Sequence, residues 1–262
     1  MKIKEVLSHL EQKYPLSYQE DFDNCGVQCG DKEQDITGVL VCFEMSDATI
    51  DEAIQLGANL VISHHPLILR KGIMKIEPTH RVGRIICKAL ENKMVLYAMH
   101  TNLDSAPGGI NDWFAAKLGL KEVEVLSPLP TEDGAVGLGR VGVLGEAVPA
   151  ERLLKQVKET FNVGAIRYYG DLSKNVRRVA VCGGGGSSFI SQAMAAKADI
   201  YITGDIKYHD FHTADRRMII ADIGHLESEQ FAKEIIYNEL KENFTNFAIS
   251  FAEVEKMKID II

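Results

Sequence analysis

Short, almost wholly apolar runs that alternate with amphipathic stretches predict an α/β protein: two interlinked α/β domains whose mostly parallel sheets are flanked by helices. Three observations carry that prediction. The runs GVLVCFE (38–44), NLVIS (59–63) and MVLYAMH (94–100) are hydrophobic on nearly every residue, as strands covered on both faces are. Each leads through a polar or glycine-containing turn into a helical pattern. The alternation stops between Lys121 and Ala150 and then resumes, which divides the chain into a first domain, 1–125, and a second, 126–262.

In chain order, the opening MKIKEVLSHLEQK reads as an amphipathic helix, because Glu5, His9, Glu11 and Lys13 interrupt any apolar core of a signal peptide. Strand 38–44 gives way to a helix that Ser46 or Asp47 can cap and Gly57 can end. Helices follow at 81–92 and at INDWFAAKLGL. Pro128, Pro130 and the alternating GRVGVLGEAV mark the break and predict an antiparallel or edge strand. ERLLKQVKETFN is a helix. RRVAVCGGGGSSFISQAMAAKA reads as strand, glycine turn and helix, ADIYITGD as a strand, and RRMIIADIGHLESEQFAKEIIYNEL as strand, turn and helix. The C-terminal segment is expected to pack back on the first domain.

At 262 residues, 46% hydrophobic and 25% charged, the chain can bury a core of ordinary composition. A net charge of -8 opposes general attraction to nucleic acid or anionic membrane. No apolar run approaches the roughly 20 residues of a membrane span. Five cysteines, odd in number and without a C-x-x-C pair, argue against a disulfide framework and for a cytoplasmic location. Cys25 and Cys29, flanked by Gly26 and Gly30, read as small apolar residues in a turn-rich segment.

Polar residues gather where parallel strands exit, the usual place for ligands in α/β sheets. His64 and His65 follow NLVIS; His100 and Asp104 follow MVLYAM; His225 and Glu229 follow MIIAD; Asp205, Lys207 and His209 follow DIYITG. Successive side chains of an extended segment diverge, and Pro66 keeps His65 extended, so each histidine can serve one of two ions, or one can bind metal while the other supports a ligand; the pair hints at a dinuclear site. His225 and Glu229, four apart at a helix start, place their Cβ atoms about 5–6 Å apart. Asp104 adds an oxygen able to bridge cations. Mixed imidazole and carboxylate ligation suits Zn, Fe, Mn, Ni or Co, and five protein donors for two divalent ions leave positions open for water, whose pKa falls there.

Each piece alone has an ordinary reading: a solvated loop at His-His-Pro, an Asx turn over 102–109, a surface pair at His225 and Glu229. Coincidence of place favours metal. The GGGG turn (183–186) is either a backbone nest for phosphate or a tight strand-to-helix turn, and it lacks both the G-K-[ST] ending and a G-x-G-x-x-G match. His209 and His212, with Lys207 and Asp210, are either substrate contacts or an exposed helix start. His9 and His80 read as surface residues.

The segments DNCGVQCG, VISHHPLI, HTNLDSAPGGIND, VAVCGGGG, ADIYITGDIKYHD and DIGHLESE resemble, in order and spacing over nearly the whole chain, the Nif-three-like family of GTP cyclohydrolase I type 2 homologues. The resemblance implies a dinuclear metal centre with ligands His64, His65, Asp104, His225 and a bridging Glu229. It implies a toroidal homohexamer, a trimer of dimers. The 121–150 segment is too short for the extra domain of longer members, and Cys25 stands where the family phrase carries Val. The implied reaction opens the imidazole ring of GTP with release of formate, His100 or His209 passing protons. Two other readings stand beside it: a metal-dependent phosphoesterase on another nucleotide, and a non-catalytic metal-binding or regulatory ring protein.

Overall fold

A computed structural model describes residues 1–69, 71–130 and 135–255. The parts of the readings above that touch residue 70, 131–134 and 256–262 lie outside them. The elements are, in order, α1 (Ile3–Lys13), β1 (Gly26–Cys29), β2 (Gly38–Cys42), α2 (Asp47–Gln55), β3 (Leu60–Ser63), α3 (Arg81–Glu91), β4 (Val95–Ala98), α4 (Thr101–Ser105) and α5 (Ile110–Lys117). There follow β5 (Lys121–Pro128), β6 (Gly137–Pro149), α6 (Ala150–Thr160), β7 (Arg167–Tyr169), β8 (Asn175–Gly185), α7 (Ile190–Ala195), β9 (Ile200–Gly204), α8 (Tyr208–Phe211), β10 (Ile219–Asp222), α9 (His225–Glu229), α10 (Ala232–Asn243) and β11 (Ala248–Phe251). Among the described residues no helix is long and apolar enough to cross a membrane.

The chain divides into two compact units, 1–103 with 232–255, and 104–231. The boundary read from sequence at 125/126 falls within β5 of the second unit.

In the first unit the sheet order is β1-β4-β3-β2-β11. β11, β2, β3 and β4 run parallel, and β1 joins β4 antiparallel. Strands β2, β3 and β4 are buried on every residue, as their unbroken hydrophobicity requires. Leu40, Val61 and Leu96 meet Ile50, Ile85 and Ile86 of α2 and α3 in one core cluster, each such side chain contributing roughly 1.5–3 kcal/mol. Ser46 caps α2 by accepting from the Thr49 amide, and Gly57 closes it at φ +67°. The expected turn at 25–30 is instead punctuated strand: Gly26 opens β1 and Gly30 follows it, both at positive φ, and a Cβ at Gly30 would strike the Met94 carbonyl.

In the second unit the order is β5-β6-β8-β9-β10-β7. Only the centre, β8, β9 and β10, is parallel; β5, β6 and β7 join antiparallel. The glycine-bearing alternation of 137–149 is the long strand β6, paired with β5 as a hairpin arm. Ala180, Tyr201 and Ile220 anchor this unit's core cluster, and α5 and α9 lie against β8.

Candidate functional site

Each unit presents its donors at the carboxyl edge of its parallel strands. In the first, β3 delivers His64 and His65, β4 delivers His100, and β2 delivers Phe43 and Glu44. The ring nitrogens of His64, His65 and His100 come within 4.8 Å of one another. His64 is fully buried; its Nδ1–H donates to the Met99 carbonyl at 2.8 Å. The Nδ1–H of His65 donates to Glu44 Oε1 at 2.6 Å. Neither a carbonyl nor a carboxylate can donate, so Nδ1 carries a proton in both rings, and Nε2 is the nitrogen that would offer its lone pair to a cation once deprotonated. His100 Nδ1 lies 2.8 Å from Asp23 Oδ1.

Both supporting carboxyls are acidified. Burial pushes Glu44 up, but His65 outweighs it by hydrogen bond and charge, with help from Arg81 and His64, and the carboxyl ends below its usual range. Asp23 behaves likewise: His100, Thr101 and the Asn24 amide overcome burial and hold it well below the ordinary aspartate value. Cys25, whose Sγ–H reaches Asp23 Oδ2 at 3.1 Å, is pushed up to about 12 by burial and then by the Asp23 charge. It is a poor nucleophile at neutral pH.

In the second unit Glu229, on α9, is 3% exposed. A carboxylate oxygen of Asp104 lies within 4.8 Å of one of Glu229. His225 Nε2 is 3.1 Å from Glu229 Oε2, and its Nδ1–H donates to Asp205 Oδ2 at 2.7 Å. The hydrogen bond to Glu229, opposed by partial burial and reinforced by Asp205, raises His225 to about 9. Asp205 holds its place at φ +55°, an unfavourable backbone state for a residue with a side chain. Buried Asn111 donates to the Asp104 carbonyl (3.0 Å) and accepts from the Gly183 amide (2.9 Å), tying Asp104 to the end of β8.

The glycine turn is a close-approach device rather than a phosphate nest. Three of its four amides are taken: Gly183 by Asn111, Gly184 by Ser228 Oγ at 2.9 Å and Gly186 by Thr203 Oγ1 at 3.0 Å. A Cβ at Gly184 would overlap Glu229 Oε1. His209 and His212 are exposed on and beside α8 and meet the Tyr208 ring edge-on, with centroids 5.3 and 5.1 Å apart. Among the described residues His209 joins no donor cluster.

Sequence reasoning did not single out Glu44 or Asp23, and assigned Asp205 no task. For Glu44 and Asp205 the available signal was a carboxylate one or two positions past a strand's carboxyl end, Glu44 after β2 and Asp205 after β9.

The chain is similar to known proteins along nearly its whole length. The family model for Duf34/NIF3 (NGG1p interacting factor 3) matches residues 1–258. A Clostridium perfringens protein named GTP cyclohydrolase 1 type 2 homolog is 34% identical over 232 residues, 87% of each chain. The solved Staphylococcus aureus protein SA1388 superposes with a TM-score of 0.90 at 28% identity, over 100% of this chain and 99% of that one. A Bacillus cereus protein related to NIF3 gives 0.89 at 26%, with the same coverage. A match of this length at sequence and fold level settles the lineage: the chain belongs to the Duf34/NIF3 family.

Proposed function

We propose that the protein is a metal-dependent hydrolase that holds two divalent cations through His64, His65, Asp104, His225 and Glu229 and acts on a purine nucleotide. The observation that carries the reading is the Nδ1 anchoring of His64, His65 and His225 by a carbonyl or carboxylate oxygen, the arrangement by which metal-binding histidines are oriented and made more basic. Three imidazoles and two carboxylates suit Zn, Fe, Mn, Ni or Co. Cations held there would lower the pKa of water and polarise the bond under attack.

The chain's own groups have separate tasks around that chemistry. Buried Asp104 and Glu229 concentrate negative charge that draws cations. Glu44 and Asp205 hold their histidines in register. His100, backed by Asp23, is the group assigned to passing a proton; exposed His209 is the second candidate. The name of the C. perfringens relative makes GTP the first substrate to try, with opening of the imidazole ring and release of formate as the reaction. A homohexamer in the cytoplasm is the assembly expected from the resemblance, read by native mass spectrometry.

The test begins with elemental analysis of protein purified without added metal, where about two equivalents per chain are expected. Metal content unchanged in the H64A/H225A double variant would overturn the metal reading. Loaded protein incubated with GTP should release formate and develop pterin fluorescence; metal retained without either product removes GTP as substrate, and a phosphoester panel then separates the phosphoesterase reading.

A further inference from the structure

Within the first unit, β11 runs alongside β2, and their register ends at Phe251 opposite Val41, with the Ala252 amide closing on the Val41 carbonyl at 2.8 Å. The next amides along that edge, Phe43 and Glu44, lie beyond the register with β11 among the described residues. Both donate to one carboxylate oxygen, Glu255 Oε1, at 2.7 and 2.8 Å. The other oxygen accepts from Lys233 Nζ at 2.8 Å, and the Glu255 side chain is 4% exposed. Charge-assisted bonds to two amides and an ammonium make this a strong anchorage.

Phe43 and Glu44 are also what hold the histidine pair. The Cys42 and Phe43 carbonyls accept from the His64 and His65 amides at 3.3 and 3.0 Å. The Phe43 ring lies 5.4 Å from the His64 ring and 4.6 Å from the His65 ring, and the Glu44 carboxylate orients His65. A bracket of two residues therefore faces the histidines with the Phe43 carbonyl and both side chains while its amides are held from behind.

We propose that Glu255 is a positioning residue for His64 and His65, acting through the Phe43–Glu44 bracket, so that docking of the segment after β11 sets how tightly the pair binds a divalent cation. The proposal rests on the metal-binding reading above. A carboxylate that merely finished the sheet edge would stabilise the unit and leave the histidines indifferent to its loss.

Two readouts separate these roles: amide hydrogen exchange at residues 43 and 44, which needs no metal, and Co²⁺ titration of metal-stripped protein followed by visible absorption. In E255A both amides exchange faster and Co²⁺ affinity falls about 10-fold, the lower end of the 10–100-fold range for groups that orient metal ligands. E255Q keeps an oxygen for the two amides and restores most of the affinity. E255D, which withdraws the carboxylate by one methylene, is the milder probe should E255A melt, and its affinity falls in step with its amide protection. Lost protection with wild-type Co²⁺ affinity, in either variant, overturns the proposal. Equal Co²⁺ affinity in wild type and H65A overturns the metal-binding reading itself, whereas a weakened H65A beside an unchanged E255A overturns the role of Glu255 alone.

Discussion

Adjacent glycines at the end of β8 should respond in opposite ways to the same methyl group. Gly184 lies at φ +64°, and a Cβ there would overlap Glu229 Oε1, stand 3.0 Å from its Cδ and approach His225 Cε1 at 3.4 Å. The left-handed backbone costs an alanine about 1–2 kcal/mol. At roughly 2–4 °C per kcal/mol for a protein of this size, G184A should melt about 2–8 °C lower. The carboxylate is the end of a flexible side chain, so the overlap is relieved by moving it, and Glu229 then leaves His225 Nε2. Two consequences follow: His225 should titrate below its value of about 9, and divalent-metal affinity should fall by about 100-fold if Glu229 is the donor proposed above. At Gly185 the nearest atoms to a Cβ belong to Asp205, at 3.7 Å. G185A should therefore melt within about 1 kcal/mol of wild type and bind metal normally. The assays are thermal unfolding, NMR titration of the imidazoles and Co²⁺ binding. If G184A keeps the His225 titration and the metal affinity of wild type, the close-approach account of the glycine turn is refuted.

Other outcomes can be stated for the same unit. Arg140, 2% exposed, donates to Asp112 and to the Gly137, Gly139 and Ala106 carbonyls; R140M should cost about 3 kcal/mol in urea unfolding, because those buried acceptors lose their donor. D205N should hold the positive φ that D205A cannot, so D205A loses about 1 kcal/mol of stability more and its metal affinity drops about 10–100-fold, read by calorimetry. In metal-free protein the folded pKa of His225, about 9, lies above the unfolded value of 6.5. Its contribution to stability is therefore fully present below pH 6.5 and lost as pH rises through 9; melting temperatures from pH 6 to 10 should show the loss, and H225A should abolish that part of it. The same proton must leave when a metal takes Nε2, so metal affinity should rise with pH up to about 9, with proton release visible as a buffer-dependent binding enthalpy.

The central strands and the places of the histidines were legible because burial on both faces leaves an unbroken hydrophobic run, and polar side chains gather where such a run stops. Strands β1, β7 and β11 escaped because they sit at sheet edges, are three or four residues long and are defined by the neighbour they pair with. The orienting carboxylates were invisible to spacing: Glu44 meets His65 across 21 residues and Asp205 meets His225 across 20, through adjacency of parallel strands. The glycine run was legible as a turn, but only packing could decide what the missing side chains make room for, which is Glu229.

The return of β11 to the edge of β2 bears on biosynthesis. The second unit is continuous in sequence over 104–231, whereas the first lacks a strand and a helix until 232–255 have been made. During synthesis the later unit can complete its pairing first, while the hydrophobic edge of β2 stays exposed for the time the ribosome needs to add about 200 residues, on the order of 10–40 s at 5–20 residues per second. Such an edge is a template for pairing with other chains. Nascent chains stalled before residue 248 should therefore bind chaperones and aggregate more than the full-length protein does.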